Sequence, residues 1–194
     1  MIGRKKAIDE LTRSYESTQS ELVVLYGRRR VGKTYLVNEV FGRKFSFHHS
    51  GLKGGNKSQQ LKQFRLSLRQ QGYWHCPALH DWQEAFFELG NFLAQAHESR
   101  KVVFIDEMPW LDTFRSDFVM AFEGFWNGWA SFRTDILLIV CGSATSWVIN
   151  KVLHNKAGLH NRVSARIRLQ PFTLNECEQY AAERGLGMDR SQIM

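Results

Sequence analysis

Residues 27–34 are the part of the chain whose types and spacing are best suited to chemistry. They read Gly-Arg-Arg-Arg-Val-Gly-Lys-Thr and fit the phosphate-binding pattern G-x-x-x-x-G-K-[ST] at every position. Gly27 and Gly32 permit backbone angles and close approaches that a side chain would forbid, so backbone N–H groups can surround a phosphate. Lys33 would reach the β- and γ-phosphates, and the Thr34 hydroxyl would be a ligand for Mg²⁺. This phosphate loop therefore predicts a nucleotide site whose members are Gly27, Arg28, Arg29, Arg30, Val31, Gly32, Lys33, Thr34 and Tyr35.

Two acidic residues form a second candidate group. Asp106 and Glu107 follow the apolar run 101–105, which is typical of a buried central strand. Hydrolysis of a phosphoanhydride needs one carboxylate near the metal and another group that orients the attacking water. We expect Asp106 to hold Mg²⁺ through water and Glu107 to act as the general base.

Ser143 is a third candidate, because it follows the next apolar run, residues 136–140. From the end of a neighbouring strand its hydroxyl would bond the γ-phosphate or the attacking water. The alternative interpretation is that Ser143 and the polar residues after it form the N-terminal cap of a helix that begins near Trp147. Both roles are compatible with the sequence.

The surrounding pattern predicts elements that bring these residues together. Apolar runs predict strands at 21–26, 45–48, 101–105, 136–140 and 166–169. Amphipathic spacing predicts helices at 4–17, 34–41, 57–71, 81–96, 118–132 and 174–183. This order indicates an α/β fold with a mostly parallel sheet covered on both faces.

Composition limits the class of protein. A chain of 194 residues with 43% hydrophobic residues can bury one good core. No apolar run approaches the roughly 20 residues of a membrane helix, and no signal peptide is evident at the N-terminus, so we expect a cytoplasmic protein. The three cysteines are far apart in sequence, which favours reduced thiols.

The net charge of +7 is compatible with a nucleotide or a nucleic acid as partner. Part of the positive charge lies in the phosphate loop and part in Arg162, Arg166 and Arg168, and no nucleic-acid-binding motif is present. The aromatic residues of 118–132 are interpreted as core or partner-facing packing and not as a platform for bases. His75, Cys76 and His80 lack a fourth ligand and are interpreted as loop residues, and His48 and His49 as residues at the solvent edge of a strand.

Several segments resemble one family of P-loop proteins. They are Ile2-Gly3-Arg4-Lys5, Leu25-Tyr26 with the phosphate loop, residues 105–111 (Ile-Asp-Glu-Met-Pro-Trp-Leu), Cys141-Gly142-Ser143 and Leu169-Gln170-Pro171-Phe172. In this order they are similar to the archaeal-type ATPases, which belong to the additional-strand, catalytic-glutamate class related to AAA+ and STAND proteins. The resemblance implies a three-layer sandwich with a five-stranded sheet in the order 5-1-4-3-2, a site for ATP with Mg²⁺, and an adenine contact near Ile2, Gly3 and Arg4.

The resemblance also implies a role for Arg162 as a phosphate-sensing or finger arginine. The family often has Pro-Leu-Tyr-Gly-Arg where this chain has Gly-Leu-His-Asn-Arg at 158–162, so the leucine and the arginine are kept. Family members usually continue into a winged-helix region. We therefore expect an ATPase core at 1–172 and, at 173–194, the start of a C-terminal helical region that is truncated here.

Three other functions remain to be compared with ATP hydrolysis. A GTPase is disfavoured because the nearest candidate for guanine recognition, residues 155–158, reads Asn-Lys-Ala-Gly and lacks the acidic residue. A small-molecule kinase would need an acceptor pocket, whereas Glu107 points to water as the acceptor. A slow-turnover ATP-dependent switch or scaffold, working with a partner protein or as a homo-oligomer, uses the same motifs and stays open.

Overall fold

Five strands form one parallel sheet in the computed structural model, which describes residues 3–154, 158–159, 161–188 and 190–193. The strands are β1 (Glu21–Tyr26), β2 (Phe45–Ser50), β3 (Lys101–Asp106), β4 (Ile136–Gly142) and β5 (Ala165–Arg168). Their spatial order is β2-β3-β4-β1-β5, and every neighbouring pair is parallel. This is the order 5-1-4-3-2 read from the other edge, so the predicted fold class and topology are confirmed.

Helices cover both faces of the sheet. They are α1 (Lys5–Glu16), α2 (Lys33–Phe41), α3 (Lys57–Gln70), α4 (Trp82–Gln95), α5 (Phe118–Gly128), α6 (Thr145–Val148), α7 (Leu174–Glu183) and α8 (Arg190–Ile193). Residues of α1 and α2 share a buried cluster with one face of the strands, and residues of α3, α4 and α5 share a cluster with the other. No helix among the described residues is long and apolar enough to cross a membrane.

The pattern of each strand explains its place in the sheet. All residues of β3 and β4 are buried, as expected for central strands with helices on both sides. In β1, Leu22 and Val24 pack against one cluster while Val23 and Leu25 pack against the other, because successive side chains point to opposite faces. Because β1, β4 and β3 are neighbouring parallel strands, their carboxyl ends lie side by side, and the candidate site residues lie at these ends.

Some predicted boundaries and local roles were wrong. Helix α5 ends at Gly128, and residues 130–132 form a separate 3-10 turn that leaves Phe132 81% exposed. Ser143 does not cap a helix, because α6 begins at Thr145 without a side-chain cap. The aromatic side chains Phe118, Phe122, Phe125 and Trp126 are buried, in line with their interpretation as packing.

His49 is a buried residue and not a solvent-edge residue as predicted. Although β2 is an edge strand, α3 covers this face, and the His49 side chain is 1% exposed with Nδ1 2.9 Å from the Ser67 hydroxyl. Burial, aided by the neighbouring His48, lowers the pKa of His49 from 6.5 to about 3. The alternation of strand residues did not reveal this, because the covering helix is supplied by a later part of the chain.

Acid should destabilise the fold through His49. The unfolded chain binds a proton at this residue below pH 6.5 and the folded chain only near pH 3, so stability is lost as the pH falls through this window. We expect the parent to lose about 2 kcal/mol of unfolding free energy between pH 7 and pH 5 relative to His49→Phe, which cannot titrate. Urea unfolding of both proteins at each pH measures this difference, and parallel losses in the two proteins would contradict it.

Candidate nucleotide site

The phosphate loop joins β1 to α2 with the backbone angles that its glycines allow. Gly32 has φ +86°, and no atom lies within 4 Å of the position that a Cβ would occupy, so the angle and not the space requires glycine. Gly27 has φ +150°, and a Cβ there would approach the carbonyl oxygen of Leu169, at the exit of β5, to 2.2 Å. The loop is therefore shaped at one end by its own conformation and at the other by close contact with the chain beyond β5.

The Lys33 ammonium group is held inside the loop. Its Nζ donates to the carbonyl oxygens of Gly27 at 3.0 Å and of Arg28 at 2.8 Å, and the residue is 6% exposed. Among the described residues no carboxylate lies within ion-pair distance of this group. A buried cation without a carboxylate partner favours binding of an anion beside it.

Thr34 and Asp106 come together from different elements. Thr34 lies in the first turn of α2, Asp106 is the last residue of β3, and Thr34 Oγ1 donates to Asp106 Oδ2 at 2.6 Å. A hydroxyl and a carboxylate oxygen next to a phosphate-binding loop are the ligand types that Mg²⁺ takes. The donor set present therefore fits the predicted metal. Burial raises the pKa of the nearby Cys141 thiol well above 9, and the Asp106 carboxylate contributes, so the thiol stays protonated beside this pair.

Glu107 is held toward β4 by Ser143. It has φ +46°, which turns the chain directly after β3, and its Oε2 accepts hydrogen bonds from the Ser143 hydroxyl at 2.8 Å and the Ser143 N–H at 3.3 Å. Arg29 of the phosphate loop donates from Nε to the Ser143 hydroxyl at 3.3 Å, and its guanidinium lies 5.4 Å from the centre of the Trp110 ring. Loop, β3 and β4 are thus linked by side chains at one point.

Arg4 connects the N-terminus to the phosphate loop and to the segment after β5. Its guanidinium donates to Gln170 O at 2.5 Å and to Val31 O at 3.0 Å, and it lies 4.4 Å from the centre of the Phe172 ring. Burial lowers the pKa of Arg4, and the Glu176 carboxylate opposes this shift. Gly3 lies so close to Glu176 that a Cβ would meet its side chain. Ile2, the third residue of the predicted adenine contact, lies outside the described residues.

A cavity of about 740 Å³ opens beside the loop. Its walls include Arg30, Val31, Gly32 and Tyr35 of the loop and α2, and also Arg4, Phe172, Cys177, Tyr180 and Arg184. The volume falls in the range of small-molecule sites. Sequence reasoning missed the contribution of α7, although the capping box formed by Thr173 and Glu176 marks a helix that begins just after Phe172.

Arg162 is not brought to this site within the chain. It lies at the amino ends of the strands, two residues before Ser164, whose N–H donates to Leu22 O at the beginning of β1. Along β1, Leu22 and Gly27 are about 16 Å apart, at about 3.3 Å per residue. Arg162 Nη1 instead donates to Asn127 Oδ1 of α5 at 2.6 Å. Of the segment compared with the family motif, Gly158, Leu159 and Asn161 are described, while His160 and residues 155–157 of the guanine candidate lie outside the described residues.

Cys76 and His80 of the predicted loop differ in their surroundings. Cys76 is buried and its carbonyl oxygen accepts a hydrogen bond from Arg65 Nε at 3.0 Å. His80 is exposed and its Nδ1 lies 3.0 Å from the Glu84 carboxylate. Each of these two residues therefore has a hydrogen-bonding partner within the protein.

Comparison with protein families and curated proteins places the chain among ATPase domains. A family model described as an ATPase domain predominantly from Archaea matches residues 1–184. An uncharacterized protein of Methanocaldococcus jannaschii is 27% identical over 179 residues, which are 92% of this chain and 38% of that protein. An uncharacterized ATP-binding protein of the same organism is 40% identical over 43 residues, 22% of this chain and 73% of that protein.

Solved structures share the fold at low sequence identity. A Walker-type ATPase of Pyrococcus abyssi has a TM-score of 0.68 and 16% identity, and the match covers all of this chain and 61% of that one. The ORC2 protein of Aeropyrum pernix, in complexes with ADPNP and ADP, has a TM-score of 0.64 and 16% identity over 96% of this chain and 52% of that one. This chain therefore spans about half to three fifths of these two structures, and about two fifths of the first curated relative.

Proposed function

The chain belongs to the family of ATPase domains found predominantly in Archaea, and from that premise we propose that it binds ATP with Mg²⁺ and hydrolyses it to ADP and phosphate. The observation that supports this most is that three groups of residues lie together at the carboxyl ends of the central strands. The phosphate loop, the Thr34–Asp106 pair and the Glu107–Ser143 pair lie there together. A cytoplasmic location is part of the same proposal.

Each residue has a role that follows from its position. Lys33 exchanges its bonds to loop carbonyls for the phosphates, and the glycines let the loop N–H groups approach them. Thr34 and Asp106 would hold Mg²⁺, which when bound neutralises charge on the phosphate oxygens. Glu107 orients the attacking water and accepts its proton, and Ser143 sets the direction of the Glu107 carboxylate.

The base of the nucleotide is proposed to lie in the cavity beside the loop. Arg4 and Phe172 form one wall through their cation–π contact, and Tyr180 of α7 lies near Phe172, with ring centres 6.3 Å apart. Aromatic and guanidinium faces are suited to stacking with a purine. In this proposal residues 1–172 form the ATPase core and 173–194 begin a helical region through which nucleotide binding moves an attached or partner domain.

The first test is ATP binding by a Lys33→Ala variant. Removing a buried cation that contacts the phosphates should weaken binding, because hydrogen bonds to charged groups contribute roughly 1.5–3 kcal/mol. Isothermal titration calorimetry with Mg²⁺ and ATP measures the change, and Lys62→Ala, which removes an exposed lysine of α3, is the matched control. Unchanged affinity in Lys33→Ala would reject the site.

A slow switch is the second candidate, because Glu107 is already engaged by two donors of Ser143. A carboxylate that keeps both of these hydrogen bonds is a weaker proton acceptor, so ATP turnover stays slow until a partner releases Glu107 from Ser143. Nucleotide retained through purification, together with a low steady-state rate, would favour the switch. Rapid turnover with no retained nucleotide would favour a constitutive ATPase.

Arg162 is proposed to act on a neighbouring copy of the chain. Its place at the amino ends of the strands keeps it from its own phosphate loop at their carboxyl ends, whereas an arginine finger can be supplied in trans. We expect the ATPase rate per molecule to rise with protein concentration, and Arg162→Ala to lower turnover more than ATP affinity. Arg166→Ala, an exposed arginine of β5, is the control. A rate per molecule that is independent of concentration would contradict the proposal.

A further inference from the structure

The most basic segment of the chain lies between residues 41 and 80. It contains seven lysine and arginine residues and no aspartate or glutamate. Residues 1–40, with the phosphate loop, and residues 136–194, with Arg162, Arg166 and Arg168, have a net charge of +3 each, and residues 81–135 have a net charge of −6. Residues 41–80 are therefore the one of these segments in which no acidic residue offsets the positive charge.

The fold places this segment along one edge of the molecule. It contains β2, which is the outermost strand, and α3, which covers β2. We call the seven side chains the basic edge: Arg43, Lys44, Lys53, Lys57, Lys62, Arg65 and Arg69. Within the described part of the chain none of the seven forms an ion pair.

Helix α3 presents part of the basic edge as a straight row. Its apolar residues Leu61, Phe64 and Leu68 are buried in the core. Lys62, Arg65 and Arg69 follow at i, i+3 and i+7, so they share one side of the helix, next to the apolar face, and extend over about 10 Å. Lys62 is exposed, and Arg65 and Arg69 are half-buried. The apolar face is already used for packing, so the helix cannot insert that face into a membrane.

The carboxylates of the neighbouring helix α4 are engaged by other groups. Glu84 and Glu88 lie on α4, which packs beside α3. Glu84 accepts hydrogen bonds from His80, and Glu88 accepts one from the Tyr73 hydroxyl at 2.7 Å. Among the described residues neither glutamate forms an ion pair with the basic edge, so its cations stay available to an anionic partner.

The free edge of β2 is closed to another strand. The Gln71 side chain accepts a hydrogen bond from His48 N–H at 2.7 Å and donates one to His48 O at 2.8 Å. These are the backbone groups that an added strand would need. A partner at this edge must therefore bind the side chains and not extend the sheet.

We propose that the basic edge binds the phosphate backbone of double-stranded DNA. A row of cations on a segment without acidic residues complements the regularly charged backbone of DNA. Trp74 and Leu66 are the large apolar side chains exposed on α3 and its exit, too few to stack successive unpaired bases. Three of the cations lie along one side of helix α3, and the major groove of B-form DNA admits a helix, whereas that of duplex RNA is narrow.

The test compares variants that lose the same charge at opposite edges of the sheet. The first is Lys62→Gln with Arg69→Gln, and the matched control is Arg166→Gln with Arg168→Gln on β5. Binding of a short labelled DNA duplex of mixed sequence is followed by fluorescence anisotropy between roughly 50 and 200 mM salt. The nucleotide site is unchanged in both variants, so ATP binding by calorimetry should equal that of the parent.

We expect the parent to bind the duplex with a steep salt dependence. Loss of two phosphate contacts should reduce the slope of log affinity against log salt by roughly 2, and affinity at the lower salt by roughly 10- to 100-fold. The control variant should keep the parent slope. If thermal unfolding shows that the double variant is unfolded, Lys62→Gln alone replaces it, with an expected change in slope of about 1.

Three results would overturn the proposal. They are no binding of the duplex by the parent at the lower salt, an equal loss in the control variant, and equally tight binding of duplex RNA or polyglutamate. The last would indicate that the basic edge binds any polyanion or an acidic protein. All three are independent of whether the chain hydrolyses ATP.

Discussion

Replacement of Glu107 by glutamine should lower the rate of ATP hydrolysis by roughly 10²–10⁴-fold. The amide keeps the shape of the side chain, and its oxygen can still accept the bonds of Ser143. It cannot accept a proton from water, so chemistry should be lost while nucleotide binding is kept. Steady-state phosphate release and calorimetry on the same preparation measure the two quantities separately.

Glu98→Gln is the matched control for this experiment. Glu98 is an exposed residue before β3, remote from the phosphate loop, and the same chemical change there should leave turnover unaltered. Ser143→Ala adds a further comparison, because it removes the hydroxyl that holds Glu107. A parental hydrolysis rate in Glu107→Gln would show that another group activates the water.

Replacement of Gly27 by alanine should destabilise the protein by about 3–5 kcal/mol. The new Cβ would lie 2.2 Å from the backbone oxygen of Leu169, and φ is +150°. Overpacking against backbone costs roughly 1–3 kcal/mol, and a glycine-only conformation adds a similar amount. The strain falls between the phosphate loop and the segment that leads to Phe172, so ATP affinity should decrease as well.

Gly32→Ala separates conformational cost from steric cost. Its φ of +86° is also unfavourable for alanine, but no neighbouring atom lies within 4 Å. We expect a loss of about 1–2 kcal/mol. Urea unfolding of both variants gives the comparison, and equal midpoints for the two would mean that the Leu169 contact relaxes without cost.

The local parts of the site could be predicted from the sequence because their residues are adjacent in the chain. The phosphate loop needs a strand before it and a helix after it, and both patterns are present within about 20 residues. The order of the strands followed from the resemblance to the family and not from periodicity. The contact of Thr34 with Asp106 joins residues 72 positions apart, and only the parallel sheet brings them together.

Other features could not be read from local pattern. Serine is a common helix-capping residue, yet the Ser143 hydroxyl donates a hydrogen bond to Glu107, because β3 and β4 end side by side. His49 lies on an edge strand, where alternation predicts exposure, but α3 buries it. Arg162 was a candidate because it matches a family motif. Its distance from the phosphate loop follows from its place before the first residue of β5, at the amino ends of the strands.

Helix α7 forms part of the wall of the cavity beside the phosphate loop. Tyr180 of this helix and Arg184 directly after it line the cavity together with Gly32 and Tyr35. Under the proposed function, contact between ligand and helix makes their free energies reciprocal. If ATP binds tenfold more tightly when α7 lies beside the cavity as in this structure, any molecule that holds α7 away must weaken ATP binding tenfold, whether or not it touches the phosphates. A partner that binds α7 and moves it would then change the rate of nucleotide exchange without contacting the nucleotide.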